Sequence, residues 1–222
     1  MAVIQIIQLG ADSSLDQHTS STTLDDKIKK ITKALEGVKN PQHFVLGIQI
    51  QDKNAIQLTS ERTGVEDSSD FETFIKSVST ACGEPRSIFH VSLDRPAFGA
   101  NGPATANVVE YVQVSFPTSL ATPEFQRKIE GDFSRFEEIF RVAAKGDLGL
   151  AVGWVLEEQE VEEIEGENAK CFFVVRGWES MERFEESVRH DAYTEAAQIL
   201  FAWNAPFKMV GFCFVVQRIS GD

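Results

Sequence analysis

Apolar residues follow two spacings along the chain, and the change from one spacing to the other predicts the order of strands and helices. Runs rich in Val, Ile and Phe are typical of buried strands, whereas apolar residues at three- and four-residue intervals are typical of helices that bury one face. The runs that predict strands are residues 2–9, 43–51, 54–61, 86–94, 108–116, 148–156, 170–176 and 209–216.

The helical runs lie between these strands and begin with residues that cap helices. Thr23, Asp70, Thr122 and Ser180 are the predicted N-caps, because a short polar side chain accepts a hydrogen bond from the free N–H groups of the first turn. The last helical run should kink at His190. Both halves of the chain therefore have the order strand, helix, strand, strand, helix, strand.

That order is typical of the ferredoxin-like α+β fold, an antiparallel sheet with both helices on one face. The two copies predict an N-terminal repeat over residues 1–95 and a C-terminal repeat over 108–222. Residues 96–107 are rich in Gly, Pro, Ala and Asn and are the candidate linker. Each sheet has a second face that its own helices leave uncovered.

The end of the chain carries a family resemblance. Residues 177–200, GWESMERFEESVRHDAYTEAAQIL, followed by a strand, resemble the end of a domain in the antibiotic biosynthesis monooxygenase-like group of the dimeric α/β-barrel superfamily. In that superfamily two sheets meet face to face and close a barrel. The resemblance implies two tandem repeats forming an intramolecular α/β barrel, as in duplicated proteins of fungal secondary metabolism. The protein would then be a monomer or a homodimer.

One position departs from the pattern of this group, which has a histidine six residues after the Trp of Gly-Trp-Glu-Ser. Here that position is Phe184. The substitution removes a polar group from the expected pocket edge, so monooxygenase or haem-degrading chemistry is expected less than other reactions of the superfamily.

The composition of the chain excludes some classes of binding partner. The net charge of −13 disfavours nucleic acid and anionic membranes, because both are bound largely through Lys and Arg. Residues 1–10 lack the features of a signal peptide, and no apolar run reaches the roughly 20 residues that span a bilayer. We therefore expect a cytoplasmic protein, and the family resemblance implies that its partner is a hydrophobic small molecule.

Alternation along the strands sorts the polar residues by face, because successive side chains point to opposite sides. One face is mixed polar, and it would be either solvent-exposed or, in a closed barrel, the wall of a lumen. We predict the lumen, with His90 and Tyr111 as the catalytic candidates and His90 as the general acid or base. The other candidate residues for substrate binding are His43, Glu61, Gln113, Ser115, Trp154, Phe173, Arg176, Trp178 and His190.

No phosphate-binding loop, catalytic triad order or zinc-ligand spacing is present in the sequence, so neither a metal site nor a cofactor is expected. A haem held by a single histidine stays open as an alternative. The resemblance implies a cofactor-independent cyclase, cycloaddition or isomerase enzyme that acts on a polyketide-like or terpenoid-like substrate in the lumen. The rival hypothesis is a non-catalytic stress-response or ligand-binding barrel.

Overall fold

The computed structural model describes residues 2–9, 24–36, 43–62, 68–99 and 102–218. The strands are β1 Ala2–Leu9, β2 Phe44–Gln49, β3 Ile56–Arg62, β4 Ser87–Leu93, β5 Val108–Pro117, β6 Asp147–Val155, β7 Ala169–Trp178 and β8 Phe207–Arg218. The helices are α1 Leu24–Glu36, α2 Ser68–Cys82, α3 Pro123–Phe140, α4 Met181–Val188 and α5 Asp191–Phe201.

These strands form one closed antiparallel barrel in the order β1-β3-β2-β8-β5-β7-β6-β4. Each half of the chain contributes four neighbouring strands in a ferredoxin-like arrangement. The halves join where β2 pairs with β8 and where β4 pairs with β6. The predicted α+β fold, with two ferredoxin-like sheets closing an intramolecular barrel, is confirmed.

The β4–β6 joint needs a glycine. A Cβ atom on Gly153 would lie 1.8 Å from the carbonyl oxygen of Ser92, far inside van der Waals contact. Beyond the last paired residues, the Asp94 carboxylate accepts a hydrogen bond from the backbone N–H of Val152 at 2.9 Å. The absence of a side chain at Gly153 thus lets the two halves approach closely at this joint.

Helices cover the outside of the barrel in two groups. Apolar residues of α1 and α2, among them Ile31 and Phe74, pack on β1, β2 and β3, and those of α3 and α5 pack on β5 and β7. The predicted cap Thr122 accepts a hydrogen bond from Phe125 N at 3.2 Å, which is confirmed. The prediction for Asp70 is wrong, because α2 already begins at Ser68.

The last helical run is broken at its predicted kink. His190 lies between α4 and α5, and its Nδ1 accepts a hydrogen bond from Ala192 N at 3.1 Å, so its side chain caps α5. Ser180 caps α4 as predicted, by accepting from Arg183 N. The predicted cap Thr23 of the first helix lies outside the described residues.

The interior of the barrel is a packed core. The ring of Phe173 contacts the rings of Phe89 and Tyr111, with centroids 5.8 and 6.0 Å apart. The Tyr111 hydroxyl lies 3.0 Å from Thr59 Oγ1, to which Gln57 also donates. Burial raises the pKa of Tyr111, which keeps the phenol protonated.

Part of the predicted linker belongs to this core. Pro103–Thr105 form a 3-10 turn, and the neighbouring Phe98, Ala104 and Ala106 are buried with the lumen residues. The turn approaches β7 at Gly177, where an added Cβ would lie 2.7 Å from the Cβ of Ala106. The segment is therefore packed against the barrel over residues 102–106.

Candidate functional site

The predicted face assignment is confirmed for β5 and for the β2–β3 hairpin. Tyr111 lies in the lumen, Gln113 and Ser115 share its face of β5, and Phe173 opposes them from β7. At the end of the hairpin, His43 Nδ1 lies 2.6 Å from Glu61 Oε2, and the His43 ring stacks on Phe98. His43 and Glu61 are thus paired with each other at this half-buried end of the barrel.

The predicted placement of His90 in the lumen is wrong. His90 lies on the outer face of β4, where its Nε2 is 2.9 Å from Nε2 of Gln5, its cross-strand neighbour. Its backbone N–H donates to Glu157 Oε2 at 2.8 Å, and its Nδ1 pairs with the same carboxylate. Alternation grouped the residues of β4 correctly, but the apolar set that contains Phe89 and Val91 faces the lumen, because the lumen is itself an apolar core.

Four further candidates lie outside the lumen. Trp154 packs under α3, where its Nε1 donates to Glu130 Oε1 at 2.8 Å, so its assignment to the lumen wall is wrong. Arg176 and Trp178 also lie on the helix-covered face, and His190 caps a helix. The structure therefore does not bring the predicted set together as one site.

A different pocket lies between the outer face of β5 and β7 and the helices α3 and α5; we call it the α3–α5 pocket. Its volume of about 120 Å³ is several times the roughly 10–15 Å³ that one water needs, so it has room for an organic group. It is lined by Glu110, Val112, Val114, Phe133, Phe136, Glu137, Phe140, Phe172, Val174, Arg176, Trp178, Phe184, Val188, Tyr193, Ala197, Leu200, Phe201, Trp203, Ala205, Phe207 and Met209.

The walls of this pocket follow from two sequence patterns. Along the pocket, the outer-face residues of β5 and β7 are apolar apart from Glu110 and Arg176. Helix α3 presents Phe133, Phe136 and Phe140 at three- and four-residue intervals. At the rim, Phe201 and Phe207 are 61% and 62% exposed, which is unusual for rings of this size. The pocket thus has apolar walls and an apolar rim.

Its polar end is built around one arginine. Arg176 lies directly across the β5–β7 ladder from Glu110, and its guanidinium pairs with Glu137 of α3. Its Nε lies 3.8 Å from Asp147 Oδ2, and the guanidinium carbon lies 5.0 Å from the ring centroid of Phe140. An arginine held in this way is fixed in position by charge and by ring contacts together.

Glu110 is a half-buried carboxyl group at this end. Its Oε2 accepts a hydrogen bond from Trp178 Nε1 at 3.0 Å. Burial raises the pKa of Glu110, and the nearby charge of Arg176 offsets only part of that effect. Burial likewise raises the pKa of Glu137 and, with the charge of Glu110, that of Tyr193. A carboxyl group with a raised pKa can give and take a proton closer to neutral pH.

Reasoning from the sequence did not identify Glu110 or Glu137. The signal was present, because Glu110 interrupts the apolar set Val108, Val112 and Val114 on one face of β5. A charged residue within an otherwise apolar strand face marks a site where burial must be compensated. Glu137 lies among the buried phenylalanines of α3, but only the folded chain brings it to Arg176.

Comparison with known proteins gives matches of structure. No protein-family profile matches the chain, and no curated protein matches its sequence. A "putative monooxygenase" from Lactobacillus acidophilus NCFM shares 10% identity at a TM-score of 0.57, over 97% of this chain and 95% of that chain. A variant of the chlorite dismutase from Candidatus Nitrospira defluvii shares 10% identity at a TM-score of 0.57, over 97% and 91%. A haem-binding protein from Thermus thermophilus shares 9% identity at a TM-score of 0.55, over 97% and 91%.

These findings correct the expected function. The prediction of a cofactor-independent cyclase or isomerase that acts in the lumen is wrong, because structures with this fold are named for monooxygenase and chlorite dismutase activities and because the lumen is packed with side chains.

None of the helices in the described part of the chain is long and apolar enough to cross a membrane.

The haem named for one similar structure does not fit the α3–α5 pocket. Haem iron is usually held by His, Cys, Met or Tyr. Among the described lining residues none is a histidine or a cysteine, and Met209 lacks the histidine beside which a methionine usually ligates haem iron. Burial raises the pKa of Tyr193, which disfavours the phenolate. Arg176, which would have to bind a propionate, is already paired with Glu137. No group of three or more metal-binding side chains occurs among the described residues.

Proposed function

We propose that the protein is an oxygenase-type enzyme that binds a mostly apolar organic substrate in the α3–α5 pocket. The observation that carries the proposal is the half-buried carboxyl group of Glu110, which lies beside Trp178 and Arg176 at the polar end of an apolar pocket. Small-molecule sites are mostly apolar with a few placed polar groups, and they concentrate ionisable residues of perturbed pKa. The names of the similar structures support the oxidative class.

Each part of the pocket has a role in this proposal. The rings of α3 and β7 bind the apolar body of the substrate and keep water away from it. Glu110 takes a proton from the polar end of the substrate, which leaves that end richer in electrons and easier to oxidise. Arg176 acts as a positioning residue, because its pair with Glu137 fixes the charges around Glu110.

Blocking the pocket tests the proposal. Ala197 is buried on α5 and lines the pocket, so Ala197→Phe should fill it, whereas Ala202→Phe places the same ring on the exposed residue after α5. The assay measures oxygen uptake and quenching of tryptophan fluorescence with a panel of apolar compounds that each carry one hydroxyl or amine. We expect Ala197→Phe to lose both signals and Ala202→Phe to keep them. Binding or turnover that survives Ala197→Phe would place the site elsewhere.

A further inference from the structure

We infer that the polar end of the substrate is a cation, so that the α3–α5 pocket is a site for lipophilic amines; this inference rests on the proposed function. Three observations lead to it: the balance of charge at the polar end of the pocket, the hydrogen bonds already formed there, and the aromatic rings around that end.

The polar end of the pocket, around Arg176, has more carboxyl groups than cations. Among the described lining residues, Arg176 is the one basic group, against the carboxyl groups of Glu110 and Glu137. Asp147 adds a third carboxyl group 3.8 Å from Arg176 Nε. A cationic ligand would bring this group of charges closer to neutrality, whereas an anionic ligand would add a further negative charge beside carboxyl groups that are already partly buried.

Among the described residues, Arg176 forms ion pairs with Glu137 and Asp147, and its charge offsets only part of the effect of burial on Glu110. Its guanidinium pairs with Glu137, although the two side chains still contain buried atoms without a hydrogen-bond partner, Glu137 Oε1 and Arg176 Nε. Within the described part of the chain, Glu110 accepts one hydrogen bond, from Trp178 Nε1. A carboxylate has room for about four, so Glu110 can still accept from an N–H group of a ligand.

The surrounding rings suit a cation. Phe140, Trp178 and Tyr193 all line the same end, and the faces of such rings attract positive charge. The site already shows this preference, because the guanidinium carbon of Arg176 lies 5.0 Å from the Phe140 centroid and 5.6 Å from that of Trp178. Aromatic faces combined with a carboxylate are a recurrent way of binding ammonium groups.

The inference also assigns a proton transfer. A protonated tertiary amine would donate its N–H proton to the Glu110 carboxylate, giving a neutral amine and a neutral carboxyl group with no net change in charge. The freed lone pair makes the amine easier to oxidise, and molecular oxygen is the oxidant that the proposed oxygenase class requires. Burial favours this transfer, because it raises the pKa of Glu110.

Affinity for a cation should therefore depend on pH. The ligand needs the carboxylate form of Glu110, which is populated above the pKa of Glu110. The groups that face Glu110 are Arg176 from β7, Glu137 from α3, Asp147 from β6 and Tyr193 from α5. A permanently charged ligand should bind more tightly as the pH rises through the titration of Glu110.

A set of ligands of similar shape tests the charge preference. The probes are benzyltrimethylammonium, its neutral carbon isostere neopentylbenzene, and the anion phenylacetate, with affinity measured from tryptophan fluorescence at pH 8. We expect the cation to bind at least about tenfold more tightly than the neutral isostere, and the anion to bind most weakly. A preference of this size corresponds to about 1.4 kcal/mol.

Two variants test whether Glu110 produces the preference for a cation. Glu110→Gln should remove most of the cation preference and leave binding of the neutral isostere unchanged, which also shows that the variant is folded. The matched control is Glu130→Gln, because Glu130 likewise accepts from a tryptophan Nε1 but does not line the pocket. Equal or tighter binding of the neutral or anionic probe, blocked by Ala197→Phe, would overturn the inference and leave the proposed function standing. No binding of any probe would contradict both.

Discussion

Replacing Arg176 with methionine should destabilise the protein by about 3–5 kcal/mol at pH 7, because it leaves buried carboxylates without their cation. Arg176 is 3% exposed, and its partner Glu137 is largely buried as well. Methionine keeps much of the length and the apolar body of the side chain, so the change mainly removes charge. For a chain of this size the loss corresponds to a decrease in Tm of about 6–20 °C.

Urea unfolding followed by circular dichroism measures this free energy at pH 7 and at pH 4. Burial raises the pKa of both Glu110 and Glu137, so these groups become neutral as the pH falls and the missing cation then matters less. The loss should therefore be smaller at pH 4. A pH-independent loss would mean that Arg176 acts through packing, and no loss at either pH would refute the charge argument.

Two further variants show whether the loss of stability comes from the buried charges around Arg176. The double variant Arg176→Met with Glu137→Leu should recover much of the stability, because an apolar pair often replaces a buried ion pair without cost. Arg127→Met is the matched control, since Arg127 is 66% exposed and pairs with Glu124 at the surface. It should change the free energy of unfolding by no more than about 0.5 kcal/mol.

Three more predictions concern single side chains. Glu110→Gln should stabilise the protein at pH 8 and lose this effect towards pH 4, because a carboxyl group of raised pKa opposes folding only when ionised; an opposite pH trend in urea unfolding would contradict this. Gly153→Ala should lower the free energy of unfolding by at least about 1–3 kcal/mol, because the new methyl group forces β4 and β6 apart. Gly131→Ala should raise it by about 0.5–1 kcal/mol, because Gly131 lies on the exposed side of α3 with no atom near the new methyl group. Equal Tm values for the two variants would refute the contrast. Tyr111→Phe should cost about 1–2 kcal/mol by removing the hydrogen bond to Thr59, and chemical denaturation would show an unchanged midpoint if that bond contributes nothing.

Local patterns were sufficient to predict the elements and the fold class. The strand Ala2–Leu9 and the cap at Thr122 agree with the predicted positions, because alternation and capping depend on a few neighbouring residues. The boundaries of the repeats, at residues 1–95, 96–107 and 108–222, stay a proposal. We also expect the two repeats to form one rigid unit, and cooperative folding of residues 1–95 as a soluble monomer would contradict this.

The position of the site was not predictable in the same way. Alternation shows that His90 shares a face with Ser92, but not which way that face turns. In a closed barrel both faces of a strand can be apolar, so polarity does not distinguish the lumen from the helix side. Glu110 and Glu137 come together with Arg176 only through packing of α3 on β5 and β7, which no local spacing encodes.

Barrel closure by β8 has a consequence for synthesis on the ribosome. The strands β2 and β4 are edges of the N-terminal sheet, and their partners β8 and β6 are made much later. Until then both edges present unpaired backbone groups, the form of a sheet that most readily pairs with another chain. The protein is therefore most exposed to aggregation while only its N-terminal half has been synthesised. This period ends when β8 is made and pairs with β2.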